Sequence, residues 1–164
     1  MKFKLVKLKY LSGNKASIYT IYFENSQLTS LEIFINENYN IFLNEIKDII
    51  SRLKIIGTKT GAREQFFRLN EGKPGDGVVA LFDKPRSALR LYCIRYGNLI
   101  LIAGGGGPKN VQKLQQNEKL KNENEFLRNL SAQITERICN NEIWFSEDNI
   151  NFKGNLTFND QDNE

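Results

Sequence analysis

The sequence predicts an α+β protein, with an antiparallel β-sheet and helices packed mainly on one face. Three observations lead to this prediction. The segments 77–83, 88–96 and 99–103 are apolar or alternating runs separated by short turns, which predicts a central β-meander. Another alternating pair at the N-terminus predicts a β-hairpin. Apolar residues at three- and four-residue steps predict helices elsewhere.

The hairpin is predicted over residues 1–10 and 16–24, with residues 12–15 as its turn. Thr29 and Glu32 have the spacing of a capping box and predict the start of a short helix. A longer helix is predicted from about residue 40, with Gly57 as its C-terminal cap. Its core-facing stripe consists of Phe42, Leu43, Ile46, Ile49, Ile50 and Leu53.

The segment 58–76 mixes basic with aromatic residues and contains three candidate substrate contacts, Arg63, Arg68 and Lys73. Such interleaving in a loop can hold a nucleic-acid backbone and stack its bases. An amphipathic turn whose phenylalanines fill the core is an equally consistent interpretation.

The strand 88–96 has two chemically different faces, because successive residues of a strand point to opposite sides. One face is apolar and predicts core, and the other is a surface for recognition or chemistry, or simply a solvated face. The apolar face carries Leu89, Leu91 and Cys93, and the other carries Arg90, Tyr92 and Tyr96.

Four glycines, 104–107, follow the last strand of the meander and precede Pro108 and Lys109. The run is not a Walker loop, because Lys109 follows a proline and precedes Asn110 rather than Ser or Thr. It is not a dinucleotide fingerprint either, since no βαβ unit surrounds it. An anion-binding turn, a mobile loop over a site and a flexible connector remain open.

The C-terminal part predicts a helix over about 117–139 and a hairpin through 143–146 and 150–158, with a disordered end. From residue 142 onward six acids stand against one lysine, a net charge of −5, so the chain's net charge of +4 leaves +9 on residues 1–141. The expected organisation is a basic domain, 1–141, and an acidic extension, 142–164. The basic domain suits a phosphate-rich partner.

Composition excludes several classes of chemistry. The chain has no histidine, which removes the usual triads and imidazole metal sites. Its two cysteines lack metal-ligand spacing, and no signal peptide or membrane-spanning stretch is visible. We therefore expect a cytoplasmic protein without a metal.

The order of helix pair, basic loop, meander and helix resembles the RelE/ParE toxin superfamily over about residues 30–140, in particular its HigB or phage Gp49-like branch. The resemblance is carried by RLKIIGTKTG at the end of the helical pair, by the strand GDGVVALFD, and by the hairpin LRLYCIRYGNLILIAGG. Lys109 matches one residue of the family's lysine pair. The second lysine is missing, and glycines replace the usual Gly-Phe.

The resemblance implies a toxin that cuts mRNA, often on the ribosome, without cofactor, and that a small helix-turn-helix antitoxin neutralises. It matches Arg90 to the strand arginine that holds the scissile phosphate, Lys109 to a lysine after the final strand, and Arg63 or Lys73 to the basic loop residues before the meander. The ParE branch instead inhibits DNA gyrase.

The residues themselves suggest matching roles. Metal-free RNA cleavage depends above all on stabilising the negative charge of the pentavalent phosphorane. Arg90 and Lys109 can supply this stabilisation. Lys73 is the candidate base, and Tyr92 is the candidate stacking residue. Two alternatives stay open: a non-catalytic module that binds nucleic acid or protein, and autoinhibition by the acidic extension.

Overall fold

The computed structural model describes residues 1–109 and 114–159. In chain order its strands and helices are β1 (Lys2–Lys7), β2 (Ser17–Phe23), β3 (Leu28–Thr29), α1 (Ser30–Asn38), α2 (Leu43–Ile55), β4 (Phe67–Arg68), β5 (Val78–Leu81), β6 (Leu89–Tyr96), β7 (Ile100–Pro108), α3 (Leu114–Cys139), β8 (Ile143–Phe145), β9 (Phe152–Gly154) and β10 (Thr157–Asn159). The predicted α+β class is confirmed. In the described ranges, none of the helices has the length and apolar content needed to cross a bilayer.

An eight-stranded sheet, ordered β10-β1-β2-β7-β6-β5-β4 with β3 paired to β2, is the framework of the described part of the chain. The predicted hairpin, β1–β2, and the predicted meander, β5–β6–β7, both form. A parallel pairing of β2 with β7 joins them, with Ser17 opposite Ile100 and Thr20 opposite Ala103. The sheet is therefore mostly antiparallel, with one parallel pair that the sequence pattern does not reveal.

Helices cover both faces of the sheet, so the predicted packing mainly on one face is not confirmed. Buried residues of α1 and α2 form one cluster with Leu89 and Leu91 of β6. Buried residues of α3 form a second cluster with Tyr92 and Ile94 of the same strand. Because alternate residues of β6 belong to different clusters, the two lie on opposite sides of the sheet. The alternation was predicted, but α3 covers the face that we expected to meet a partner.

Of the two predicted helix ends, the start of α1 is confirmed and the end of α2 is not. Thr29 and Glu32 form the predicted capping box at the start of α1. The predicted cap at Gly57 is wrong, because a π-helical turn, Ile56–Thr60, prolongs α2 and Gly61 follows it with a φ of 79°. Gly57 instead lies against the carbonyl of Leu11, where a side chain would clash. The glycine serves close packing of two chain segments rather than a left-handed turn.

The glycine run lies inside β7, which extends to Pro108, and not in a turn, loop or connector as predicted. β7 has one more residue than β6 opposite Tyr92, because Leu91 pairs with Gly106 whereas Cys93 pairs with Ala103. This bulge brings the glycine backbone close to its neighbours. A Cβ at Gly104 would be 2.7 Å from Leu127 of α3. The missing side chains thus let α3 approach the sheet.

Residues 142–159, which belong to the expected acidic extension, pack against the preceding part of the chain. The predicted hairpin forms as β8 and β9. Ile143, Phe152 and Phe158 belong to the second core cluster, and β10 pairs with β1 at an edge of the sheet. The predicted disordered end, 160–164, lies outside the described residues.

The role of the glycines can be tested with two neighbouring substitutions. Gly106→Ala places a methyl group against the Arg90 carbonyl, and we expect it to lower the free energy of unfolding by about 2–3 kcal/mol. Gly107→Ala makes ordinary contact with Lys119 at 3.6 Å and should change stability by less than about 1 kcal/mol. Urea denaturation measures both. Equal losses would contradict the steric explanation.

Candidate functional site

One end of the sheet gathers charged side chains from four neighbouring chain segments. Arg68 ends β4, Asp83 lies two residues after β5, Arg90 is the second residue of β6, and Lys109 directly follows β7. Because β5 and β7 run antiparallel to β6, the ends of β5 and β7 meet the beginning of β6. We call these four residues the Asp83 cluster.

The Asp83 carboxylate is the centre of the cluster. Its Oδ2 lies 3.0 Å from Lys109 Nζ and 3.3 Å from Arg90 Nε. Its Oδ1 lies 3.2 Å from Arg68 Nη1. Lys109 Nζ also donates to the carbonyl of Lys84 at 2.8 Å. Arg90 and Lys109, predicted to lie on one face, are therefore brought to the same oxygen atom.

Burial makes these contacts stronger than those of surface ion pairs. The side chains of Asp83 and Lys109 are only 4% and 7% exposed, whereas that of Arg68 is 43% exposed. Burial opposes ionisation of Asp83, but hydrogen bonds from Lys109 and Arg68 and the charge of Arg90 outweigh it and lower its pKa. Burial likewise opposes the charge of Arg90, but Asp83 reverses this effect and raises the pKa of Arg90.

The cluster carries more positive than negative charge. Three cations contact Asp83, and among the described residues Glu71 adds a weaker pair with Arg68 at 3.5 Å. One positive charge remains uncompensated by these contacts. Guanidinium and ammonium groups that share one oxygen of a carboxylate can also hold an oxygen of a phosphate. The arrangement is chemically suited to bind an oxyanion.

The cluster is less suited to moving protons at neutral pH. Asp83 is a weak base because its pKa is lowered. Tyr92 lies beside Arg90, but burial raises the pKa of the Tyr92 hydroxyl. Burial raises the pKa of the Cys93 thiol to about 12, so it stays protonated. The described residues include no group of three or more acidic or thiol side chains arranged to hold a metal ion.

Of the two predicted aromatic contacts, Tyr92 lies in the core and Tyr96 is partly buried against it. Tyr92 is 5% exposed and packs in the second cluster, so its ring cannot stack on a base. Tyr96 lies at the far end of β6, with its ring 5.1 Å from that of Phe152. α3 and the hairpin β8–β9 thus cover the face on which both rings were predicted to meet a partner.

The other two predicted basic contacts are exposed but do not join the cluster by any described contact. Arg63 donates from Nε to the carbonyl of Thr60, at the opposite end of the meander. Lys73 lies in the loop before β5, beside a groove that it shares with Arg128 of α3. The structure therefore brings together Arg68, Arg90 and Lys109, but not the proposed base Lys73.

Sequence reasoning missed Asp83, which organises the site. The available signal was an acid directly after the apolar run GVVALF and close to three turn residues, Lys84, Pro85 and Arg86. A single acid near basic residues is common on protein surfaces, so the pattern alone does not indicate burial.

Neither the models of known protein families, nor curated proteins, nor solved structures match this chain. The resemblance to RelE/ParE toxins therefore stays a prediction that depends on the motifs.

The central role of Asp83 can be tested by Asp83→Asn, which leaves buried cations without a counterion. We expect a loss of about 3 kcal/mol at neutral pH, measured by chemical denaturation. Because the folded-state pKa lies below the unfolded value of about 3.9, the ionised carboxylate stabilises the fold above that pH. The loss should shrink as the pH falls below about 4.

Asp48→Asn is the matched control, since Asp48 pairs with Arg52 at 3.0 Å on the surface and is 65% exposed. Its effect should be below about 1 kcal/mol. A pH-independent effect of Asp83→Asn would contradict an ionic role for this residue.

Proposed function

We propose that the protein is the toxin of a toxin–antitoxin pair, of RelE/HigB type, which acts on mRNA through the Asp83 cluster. The observation that carries this proposal is the convergence of Arg90 and Lys109 on Oδ2 of Asp83. The helix pair and meander of the fold have the order from which the resemblance was drawn. The proposal includes a small helix-turn-helix antitoxin and a cytoplasmic site of action, with or without the ribosome.

A phosphodiester offers two non-bridging oxygens, as a carboxylate offers two oxygens. Arg90 and Lys109 would hold one of them, and Arg68 would hold the other. Arg68 is the most exposed of the three cations, so it is the one that an RNA strand reaches most easily. The phosphate binds either beside Asp83, using the excess positive charge, or in its place.

The proposed reaction is metal-free cleavage of RNA. The 2′-oxygen forms a bond to phosphorus and loses its proton, the bond to the 5′-oxygen breaks, and that oxygen gains a proton. Charge on the pentavalent phosphorus is stabilised by Arg90 and Lys109. Lys73 was expected to take the 2′-proton, but no described contact links it to the cluster, so water is the proton acceptor in this scheme.

A second candidate function is favoured by the chemistry of the cluster itself. Asp83 is too weak a base and Tyr92 too weak an acid to transfer protons efficiently near neutral pH. A non-catalytic module that binds RNA with the same cations needs neither. It would bind RNA in a salt-dependent manner and release no product.

The two functions can be separated with Arg90→Ala and Lys109→Ala. If the protein cleaves RNA, each variant should lose about 100-fold or more in cleavage rate and should no longer inhibit growth on induction. Lys47→Ala, at an exposed position of α2, is the control and should behave as the wild type. Gel analysis of purified RNA and growth curves provide the readouts.

The binding module predicts a different result. Wild-type protein would leave RNA intact, and each variant would reduce the slope of log affinity against log salt by about 0.7. If Arg90→Ala and Lys109→Ala changed neither cleavage nor binding of RNA, both functions would be wrong.

A further inference from the structure

An apolar groove of about 340 Å³ lies between the end of α2 and the strands β4 and β5. Its walls include Ile55 and Ile56 from the end of α2 and Phe66 and Phe82 from either side of the strands. Phe82 is 49% exposed and Ile55 39% exposed, although both are apolar. A contiguous apolar surface of this kind commonly marks a binding site.

The groove adjoins the Asp83 cluster along the chain, through three consecutive residues. Phe82 lines the groove, Asp83 holds the cations, and Lys84 lines the groove again. The Lys84 carbonyl accepts the hydrogen bond from Lys109. Because neighbouring Cα atoms are about 3.8 Å apart, the short stretch of backbone that carries the Phe82 ring also carries the carboxylate at the centre of the cluster.

The position of Phe82 is fixed by its backbone. Its amide donates to the Phe66 carbonyl at 2.8 Å, and its carbonyl accepts from Arg52 Nη1 at 2.6 Å. The ring is therefore presented at a defined place although it is half exposed. Arg52 and Lys84 add positive charge at the rim of the groove.

A flat apolar face, a cationic rim and an adjacent phosphate site together match the chemistry of a nucleotide. Bases stack on exposed aromatic rings, whatever their identity, while cations hold the backbone. Tyr92 cannot stack on a base because it is buried, and Phe82 is the exposed ring next to the cluster. A groove of this volume is in the range of small-molecule sites.

We infer that Phe82 is the base-stacking platform for the RNA strand whose phosphate binds at the Asp83 cluster. The inference rests on the proposed function and names a subsite that the cluster alone does not supply. Because stacking is sequence-tolerant, this subsite contributes affinity and register rather than recognition of a particular base.

The experiment compares two fluorescein-labelled probes of equal length, an oligouridylate and an abasic oligomer that keeps the phosphates. Phe82→Ala should weaken binding of the oligouridylate by roughly tenfold and leave the abasic oligomer unchanged, measured by fluorescence anisotropy. Phe82→Leu keeps the groove apolar but removes the stacking face, and should behave like Phe82→Ala. Phe82→Trp should keep the wild-type affinity.

Tyr39→Ala is the matched control, because Tyr39 is also an aromatic residue with 49% exposure but lies at the end of α1, away from the groove. It should not affect either probe. Thermal melts check that each variant is folded, and the comparison of Phe82→Leu with Phe82→Trp decides the result if Phe82→Ala does not fold.

The possible failures are distinguishable. If Phe82→Leu binds the oligouridylate as well as the wild type, or if both probes weaken equally, the stacking platform is wrong. An apolar peptide as the true occupant would give the first of these results. If the stacking platform is wrong but Arg90→Ala still abolishes binding of the oligouridylate, the proposed function is retained. If the wild type binds neither probe, the proposed function and the subsite fail together.

Discussion

The end of the sheet that carries the candidate site depends on the ionised carboxylate of Asp83. A buried charge without partners is strongly unfavourable, so Asp83 is compatible with the fold only while Arg90 and Lys109 face it. The dependence is mutual, because Lys109 is almost as buried as the acid. The carboxylate therefore fixes the relative positions of the ends of β5 and β7 and the beginning of β6.

The ion pairs of Asp83 with Arg90 and Lys109 also limit how strongly any anion can bind there. A phosphate at Arg90 and Lys109 must either share these cations with Asp83 or displace it, and both reduce the net gain from binding. The cations are held in position beforehand, so little side-chain entropy is lost when an anion arrives. This combination favours moderate affinity with defined geometry. Because Arg68 is exposed, it can bind an anion before the ion pairs of Asp83 with Arg90 and Lys109 change.

The sequence was most informative where structure follows from local spacing, although the cap predicted at Gly57 did not form. The capping box at Thr29 and the alternation along β6 were predicted because each involves residues a few positions apart. The parallel pairing of β2 with β7 joins segments about eighty residues apart and leaves no local pattern. The glycine run was misread for the same reason, since only the approach of α3 explains why Gly104 lacks a side chain.

In the candidate site, too, local patterns were predictable and contacts between distant segments were not. Alternation correctly placed Arg90 and Tyr92 on one face, but it cannot tell which part of that face another element covers. α3 covers the middle of β6 and buries Tyr92. Arg90 lies two residues closer to the end of the sheet, and part of its side chain remains accessible. Under the proposed function, an aromatic ring that stacks on a base therefore has to lie outside the area that α3 covers. Phe82 meets this condition because it follows the end of β5 at Leu81 and its side chain is 49% exposed.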